Sequence, residues 1–446
     1  ELVTLVSRGC DGELTSAFMP QYTFTSALAG VSIDLSDVYA DRRALLESVS
    51  RRVRDILTRV QIDMPGALHG ALLRYLQADT AADGLGATLA LDVARGRAMA
   101  QDTIFRIYSM SKPITSVAVM MLYEEGRFQL EHEIGRYIPE LGDLKVYAGG
   151  PARGMVTKAA SRQVTIRDLL THMAGFTYGF MEVHPVDEAY RHFQIGGVDL
   201  TTADLEEFCK RLGRMPLLHN PGEAWSYSVS TDVLGRLVEV VSGLSLIEFF
   251  RTRIFAPLGM TDTDFQVSAE QMPRFAANYQ RNPKTRSFDL FDDPETGRYA
   301  KPPVFMSGGG GLVSTQAEYL KFCQMMLRGG TAPDGTRLLS RPTIALMTQN
   351  HLPDGRDLEG FAQGAFSETT NAGIGFGLGF AVTVDEAKAQ ITGPNGIYYW
   401  GGAASTIFWI DPVEEMIAIL MTQLMPSGAY PLRRQFQQLV YAAIDD

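Results

Sequence analysis

Ser109-Met110-Ser111-Lys112 is where reactive side chains are most concentrated in this chain. On a helix, residues three apart share a face, so a Lys112 ammonium stands one turn from the Ser109 hydroxyl. A serine hydroxyl becomes nucleophilic beside a base or a cation, and a lysine at this spacing supplies one. Ser109 also falls where a helix is expected to begin. There its backbone N–H is free of the helix and the helix dipole favours an oxyanion. Ser111 is a second hydroxyl, with no lysine three residues beyond it. Ser-x-x-Lys alone arises by chance in a chain of 446 residues, so its surroundings decide.

Other hydrolase chemistries find little support. Gly-x-Ser-x-Gly is absent, and the α/β-hydrolase order needs a late histidine, whereas the last one here is His351. There is no His-Glu-x-x-His, and His69, His132, His172, His184, His192 and His219 show no metal-ligand spacing. Cys10, Cys209 and Cys323 are too few and too scattered for a thiolate zinc site or a disulfide framework. No metal and no cofactor are expected.

The surroundings of Ser109 carry a family resemblance. Phe105-Arg106-Ile107-Tyr108-Ser109-Met110-Ser111-Lys112-Pro113-Ile114-Thr115-Ser116, followed by Leu122-Tyr123-Glu124-Glu125-Gly126, resembles the nucleophile segment of the serine β-lactamase-like superfamily. Four further segments follow in the family's order: Arg167 to Gly175 (RDLLTHMAG), Pro221 to Ser228 (PGEAWSYS), Gly309 to Thr315 (GGGLVST) and Trp400 to Ala403 (WGGA). Together they span about residues 95 to 430, and they are most similar to family VIII carboxylesterases, relatives of class C β-lactamases and DD-peptidases.

The resemblance implies that Tyr227 is the second catalytic group. A phenol ordinarily titrates near pH ~10 and needs a neighbouring cation to act as a base near neutrality. Lys112 is the candidate, and which of the two takes the serine proton stays open, because a coupled pair shares its titration. By resemblance, the N–H groups of Ser109 and Ala403 form the oxyanion hole. Where β-lactamases and peptidases of the superfamily carry Lys-Thr-Gly, this chain has Trp400-Gly401-Gly402, with neither cation nor hydroxyl. Val229 stands where a Tyr-x-Asn element has its amide. Each loss removes a polar contact for a β-lactam or peptide carboxylate, and Trp400 adds apolar area.

The expected activity is therefore cleavage of a small-molecule neutral ester, of short to medium acyl chain, through an acyl-enzyme. The alternatives are a β-lactamase or D-amino peptidase, an acyltransferase with the same nucleophile, and a non-catalytic binding homologue. The last is disfavoured because Ser109, Lys112 and Tyr227 are all present.

The elements that must position these residues follow. A helix is expected from Met110 to about Glu125, with Pro113 in its first turn and Gly126 at its C-terminus. Trp225 to Val241, Ala317 to Leu327 and Gln435 to Ala443 also read as helices, as does Asp41 to about Val60 from its apolar spacing. Ala404 to Ile410 and Met416 to Met421 read as strands around an Asp-Pro-Val-Glu turn, and Gly308 to Gly311 as a turn. Residues from about 270 to 305 are expected as long surface loops. In the family a hairpin precedes the nucleophile segment, whereas Gly66 to Arg95 here has closer to helical spacing. The resemblance implies an α/β plus all-α fold, like the β-lactamases and DD-peptidases: an antiparallel sheet flanked by helices, with a helical lobe. Residues 41–165 and 301–446 are assigned to the α/β lobe and 166–300 to the helical lobe. Residues 1–40 are an N-terminal extension without an assigned structure.

Composition sets the remaining expectations. The chain is 46% hydrophobic and 20% charged, with a formal charge of -11. Nucleic acid and anionic membrane surfaces recruit clustered Lys and Arg, so neither is expected as a partner. No run reaches the ~20 apolar residues that span a bilayer. Glu1 to Gly9 carries an acid where a signal peptide has basic residues, and the few cysteines fit a reducing compartment, so a cytoplasmic location is expected. Oligomeric state is not legible.

Overall fold

Alternation along two strands near the C-terminus builds the central sheet. In Ile407–Asp411 and Met416–Met421, the side chains of Phe408, Ile410, Ile417, Ile419 and Met421 enter the main apolar core. Their neighbours Trp409, Met416, Ala418 and Leu420 enter a second cluster with Leu432, Phe436 and Val440. A period of two sends successive residues to opposite faces, and here both faces are covered, so the strands read as continuous apolar runs. One cover is the helix Gln316–Leu327, whose Tyr319 ring lies 5.0 Å from Phe408. The other is the C-terminal helix Leu432–Tyr441, whose Phe436 ring lies 5.0 Å from Trp409.

The computed structural model describes residues 99–100, 102–196, 202–285, 287–362, 371–442 and 444, and the backbone of the strands Leu2–Arg8, Leu14–Ser16, Ala90–Asp92 and Arg97–Ala98. The sheet has seven strands in the order Ile374–Phe376, Ala381–Thr383, Tyr398–Gly401, Ile407–Asp411, Met416–Met421, Leu2–Arg8, Leu14–Ser16. Every neighbouring pair is antiparallel. This is the sheet flanked by helices that the resemblance implied. In its register Trp400 stands opposite Phe408.

Several elements differ from the sequence expectation. The N-terminal residues, expected as an unassigned extension, supply two of the sheet's strands, with Leu2 to Val6 pairing with Met421 to Ile417. Their Leu-Val-Thr-Leu-Val run is short, but an existing sheet edge offers it a partner. Ala90–Asp92 and Arg97–Ala98 pair as an antiparallel hairpin, as in the family, where the local spacing had suggested a helix. The region from 270 to 305 contains the hairpin of Asn278–Arg281 and Phe288–Asp292, so it is not loop throughout. The expected helix at Asp41 to Val60 lies outside the described residues.

The helix that begins after Ser109 runs Ser111–Glu124, within one residue of expectation, and Gly126 follows it at φ +71°. Its residues from Ser111 to Leu122 are all buried, so it is a central rather than a surface helix. It packs against Ser230–Ser242. Ile166–Leu170, Leu205–Leu212 and Leu246–Phe250 pack against Ser230–Ser242, and Pro185–His192 packs on the turn Gly179–Met181. Three of these begin with reciprocal caps: Thr165 with Asp168, His184 with Asp187, and Ser245 with Glu248. Each such cap contributes about 1 kcal/mol. Asp168, within the RDLLTHMAG segment, is thereby committed to structure, and Arg162 pairs with it at 2.5 Å. Among the described residues no helix is long and apolar enough to cross a membrane.

Candidate active site

From Thr103 to Leu122 every residue is buried except Ser109. The chain leaves the strand Ile104–Arg106 and makes one tight turn, Tyr108–Met110, before the helix begins. In that turn Tyr108 adopts φ +41°, a conformation that costs a non-glycine residue energy and persists only where its surroundings enforce it. The enforcement is visible on both sides. The Tyr108 hydroxyl accepts a hydrogen bond from Asn278 Nδ2 at 2.9 Å. Arg106, fully buried, pairs with Asp292 at 2.6 Å and lies 4.0 Å from the Phe275 ring centroid. The turn lifts the Ser109 hydroxyl out of an otherwise sealed segment.

Two side chains converge on that hydroxyl. The Tyr227 hydroxyl donates to Ser109 Oγ at 2.6 Å, and Lys112 Nζ donates to the same oxygen at 3.2 Å. Lys112 is only 2% exposed, and its ammonium also donates to the Gly309 carbonyl at 2.6 Å. The ammonium lies 4.5 Å from the Tyr227 ring centroid and 5.4 Å from that of Tyr178. A buried ammonium so enclosed is held by charge-assisted hydrogen bonds and by aromatic faces. Ser111, the second hydroxyl of the motif, is fully buried and accepts from Leu312 N–H at 3.1 Å.

Tyr227 does not sit on a helix. The helix expected from Trp225 begins only at Ser230, and residues 226–228 before it are irregular. Tertiary hydrogen bonds override the local spacing: Trp225 N–H donates to Phe361 O, Ser226 N–H to His172 O and Val229 N–H to Thr177 O. These three anchors point the Tyr227 ring towards Ser109.

The glycine-rich loop after Tyr398–Gly401 closes the site from the other side. A Cβ on Gly402 would lie 2.4 Å from the Ile107 carbonyl oxygen, so only glycine lets the loop approach the backbone two residues before Ser109. Ala403 follows in the turn, half-buried. Arg433, from the C-terminal helix, donates to the Gly402 carbonyl at 2.6 Å and to the Thr406 carbonyl at 3.0 Å. The guanidinium also lies beside Gly401, where a Cβ would meet it at 2.8 Å. The loop thus carries no cation of its own but is braced by one, which the sequence reading missed.

The wall of the site is aromatic. The Trp400 ring is 5.5 Å from Tyr227 and 5.5 Å from Phe376, and Trp225 is 5.5 Å from Phe376. Tyr178 lies 5.2 Å from Tyr227 and stacks on Phe180 at 4.7 Å. His172 completes the cluster at 5.2 Å from Tyr227. Burial, and then the Lys112 charge, hold its imidazole well below the usual histidine range. It is therefore neutral, and its Nδ1 is bonded to Ser228 Oγ at 3.2 Å.

The sequence reading singled out Ser109, Lys112, Tyr227, Trp400, Gly401, Gly402 and Ala403. The structure gathers Ser109, Lys112, Tyr227 and Trp400 by direct contact, and the two glycines hold the adjoining loop. It adds Tyr178, which lies outside the segments of the resemblance, and the Gly309 carbonyl, whose segment was recognised but whose contact with Lys112 no local spacing marks. A separate cavity of about 520 Å³ is lined by residues including Tyr147, Lys158, His219, Asn220, Glu223 and Glu359, and touches none of the Ser109 partners.

Residues 74–442 match the family model described as Beta-lactamase. The chain belongs to the beta-lactamase family. Within this beta-lactamase-fold serine hydrolase family it is similar to Esterase EstB of Burkholderia gladioli, 31% identical over 79% of this chain and 85% of that one. It is also similar to Protein Rv1367c of Mycobacterium tuberculosis, 37% identical over 75% of this chain and 81% of that protein. Among solved structures it resembles EstCE1, described as a hydrolase with promiscuous acyltransferase activity. That likeness has a TM-score of 0.66 at 26% identity, covering 79% of this chain and 88% of the other.

Proposed function

We propose that this beta-lactamase family member cleaves neutral carboxylic esters through an acyl-enzyme on Ser109. The observation that carries the reading is the convergence of Tyr227 at 2.6 Å and Lys112 at 3.2 Å on one half-exposed hydroxyl. Ser109 Oγ attacks the ester carbonyl carbon while its proton passes to the Tyr227–Lys112 pair. The negative charge that develops on the carbonyl oxygen is received by the N–H groups of Ser109 and Ala403. The C–O bond to the alcohol then breaks, and the alcohol leaves with the proton held by the pair. Water attacks the acyl-enzyme by the same route in reverse, releasing the acid and restoring Ser109. His172 takes no part, being neutral, buried and bonded to Ser228. Neither metal nor cofactor enters the scheme.

The substrate class is argued from the wall. Half-buried Trp400 offers apolar area, backed by the buried rings of Phe376, Trp225 and Tyr227, and Arg433 is committed to two backbone carbonyls. A neutral acyl or alcohol group of short to medium size suits such a surface better than a carboxylate does. The similarity to Esterase EstB supports this reading over a β-lactamase or D-amino peptidase. The similarity to EstCE1 supports a second reading, in which an alcohol rather than water accepts the acyl group. Added alcohol would then yield a new ester in competition with hydrolysis.

The test is exposure to a fluorophosphonate, followed by intact mass and peptide mapping, with nitrophenyl butyrate and nitrocefin turnover measured in parallel. One adduct on Ser109, ester turnover well above nitrocefin turnover, and loss of both adduct and turnover in a folded Ser109→Ala variant are expected. An adduct elsewhere, or a Ser109→Ala variant with ordinary turnover, would remove the proposal.

A further inference from the structure

A second buried charge stands behind the Lys112 ammonium. Asp232, in the first turn of the helix Ser230–Ser242, is 1% exposed. Its Oδ1 accepts from the Ser307 hydroxyl at 2.6 Å and from Gly309 N–H at 3.0 Å. The Gly309 carbonyl, on the same residue, is the group that receives Lys112 Nζ at 2.6 Å. Gly309 is also close-packed against this carboxylate: a Cβ there would lie 3.1 Å from Asp232 Oδ2 and 3.1 Å from the Tyr178 hydroxyl. One residue therefore links the carboxylate to the ammonium, with its N–H turned to Asp232 and its C=O to Lys112.

We propose that Asp232 is a positioning residue for the reaction at Ser109. Its carboxylate fixes the Gly309 residue and supplies the negative charge that keeps the Lys112 ammonium between that carbonyl and Ser109. The inference rests on the reading of Ser109, Lys112 and Tyr227 as the reacting groups. An unpaired ammonium this deeply buried is costly, and a buried carboxylate linked to it through a single residue offsets part of that cost. The groups that face this charge pair are named readily. They are Tyr178 and Tyr227 from the aromatic wall, neutral His172, and the Cys209 thiol on the helix Leu205–Leu212. None of these carries a positive charge, so Lys112 is the cation the carboxylate answers. Burial holds the Asp232 carboxyl above the usual carboxylate range, and Ser307, Lys112 and the Gly309 N–H pull against that shift.

The consequence is a direction. A negative charge favours the protonated state of every titrating neighbour, so its removal lets the Tyr227–Lys112 pair lose its proton at lower pH. Asp232→Asn keeps the shape and an oxygen that accepts from Ser307 and Gly309, while removing the charge. The experiment measures kcat/KM for nitrophenyl butyrate against pH in the parent, Asp232→Asn and Asp232→Ser, with thermal melting to verify folding. The acid limb is expected to move down by on the order of one pH unit in both variants, with a lower plateau rate. A folded Asp232→Asn variant whose limb stays in place, whatever its rate, overturns the proposal, since a purely structural role moves no limb. Loss of fold in both variants overturns it too, assigning the carboxylate to folding. The parent separates this outcome from failure of the esterase reading: if the parent neither hydrolyses the ester nor labels at Ser109, the reading of the site itself has failed.

Discussion

Replacement of Gly402 by alanine tests how the oxyanion site is built. The added methyl would lie 2.4 Å from the Ile107 carbonyl oxygen and 2.4 Å from Thr406 Oγ1, so about 1 Å of movement is needed to reach ordinary contact. The Ile107 carbonyl cannot give way easily, because it accepts from Met110 N–H at 3.0 Å inside the turn that presents Ser109. The loop must move instead, against the two hydrogen bonds from Arg433. In the proposed mechanism the Ala403 N–H moves with it, away from the charge that develops on the carbonyl oxygen. Losing one such donor costs ~10²–10³ in kcat, or about 2.7–4 kcal/mol. The ground-state ester makes little use of that donor, so KM should change far less than kcat. The assay is steady-state hydrolysis of nitrophenyl butyrate, with circular dichroism to verify folding. Gly154→Ala is the control, since a Cβ there meets nothing nearer than 3.8 Å. A folded Gly402→Ala protein with kcat within about threefold of the parent would refute the argument.

Two further outcomes follow from the same geometry. Tyr227→Phe keeps the ring against Trp400 and deletes only the hydroxyl at 2.6 Å from Ser109. Its kcat/KM should fall by ~10²–10⁴ with the melting temperature nearly unchanged, and an unaltered rate would clear Tyr227 of proton transfer. The second concerns pH and stability. Burial is the main cause that lowers both His172 and His219, with Lys112 adding to it at His172. The unfolded chain binds protons at these imidazoles below pH ~6.5 whereas the folded chain does not, so stability is lost on acidification from that point towards the lowered folded values. The slope is at most about 1.4 kcal/mol per pH unit for each imidazole. Urea unfolding at several pH values between neutrality and mild acid tests this, and a flat profile across that window would contradict it.

Much of this site is legible in the chain because its central parts are local. Ser109 and Lys112 are three residues apart, in the turn Tyr108–Met110 and the helix that follows it, so their meeting is local, and Gly126 marks where that helix stops. The strands Ile407–Asp411 and Met416–Met421 are likewise announced by their apolar runs, although the true start of the first lies later than the run suggests. Tyr227 could be tied to Ser109 only through the family resemblance, since 118 residues separate them and the local spacing pointed to a helix. What holds its segment out of a helix are hydrogen bonds to Phe361, His172 and Thr177, partners remote in sequence.

The features that only the tertiary structure decides share one physical character: they are closures between distant segments. Leu2–Arg8 becomes part of the sheet because Met416–Met421 offers an unpaired edge, and no short apolar run carries that information by itself. Arg433 braces the loop around Gly402 from a C-terminal helix, and Asp232 meets Lys112 through a glycine 77 residues further along the chain. Sequence determined the reactive pair and the elements that carry it, because helix and strand periods act over a few residues. Which groups stand behind that pair, the Gly309 carbonyl and the Asp232 carboxyl, was decided by packing, where burial makes each polar group find a partner wherever the fold provides one.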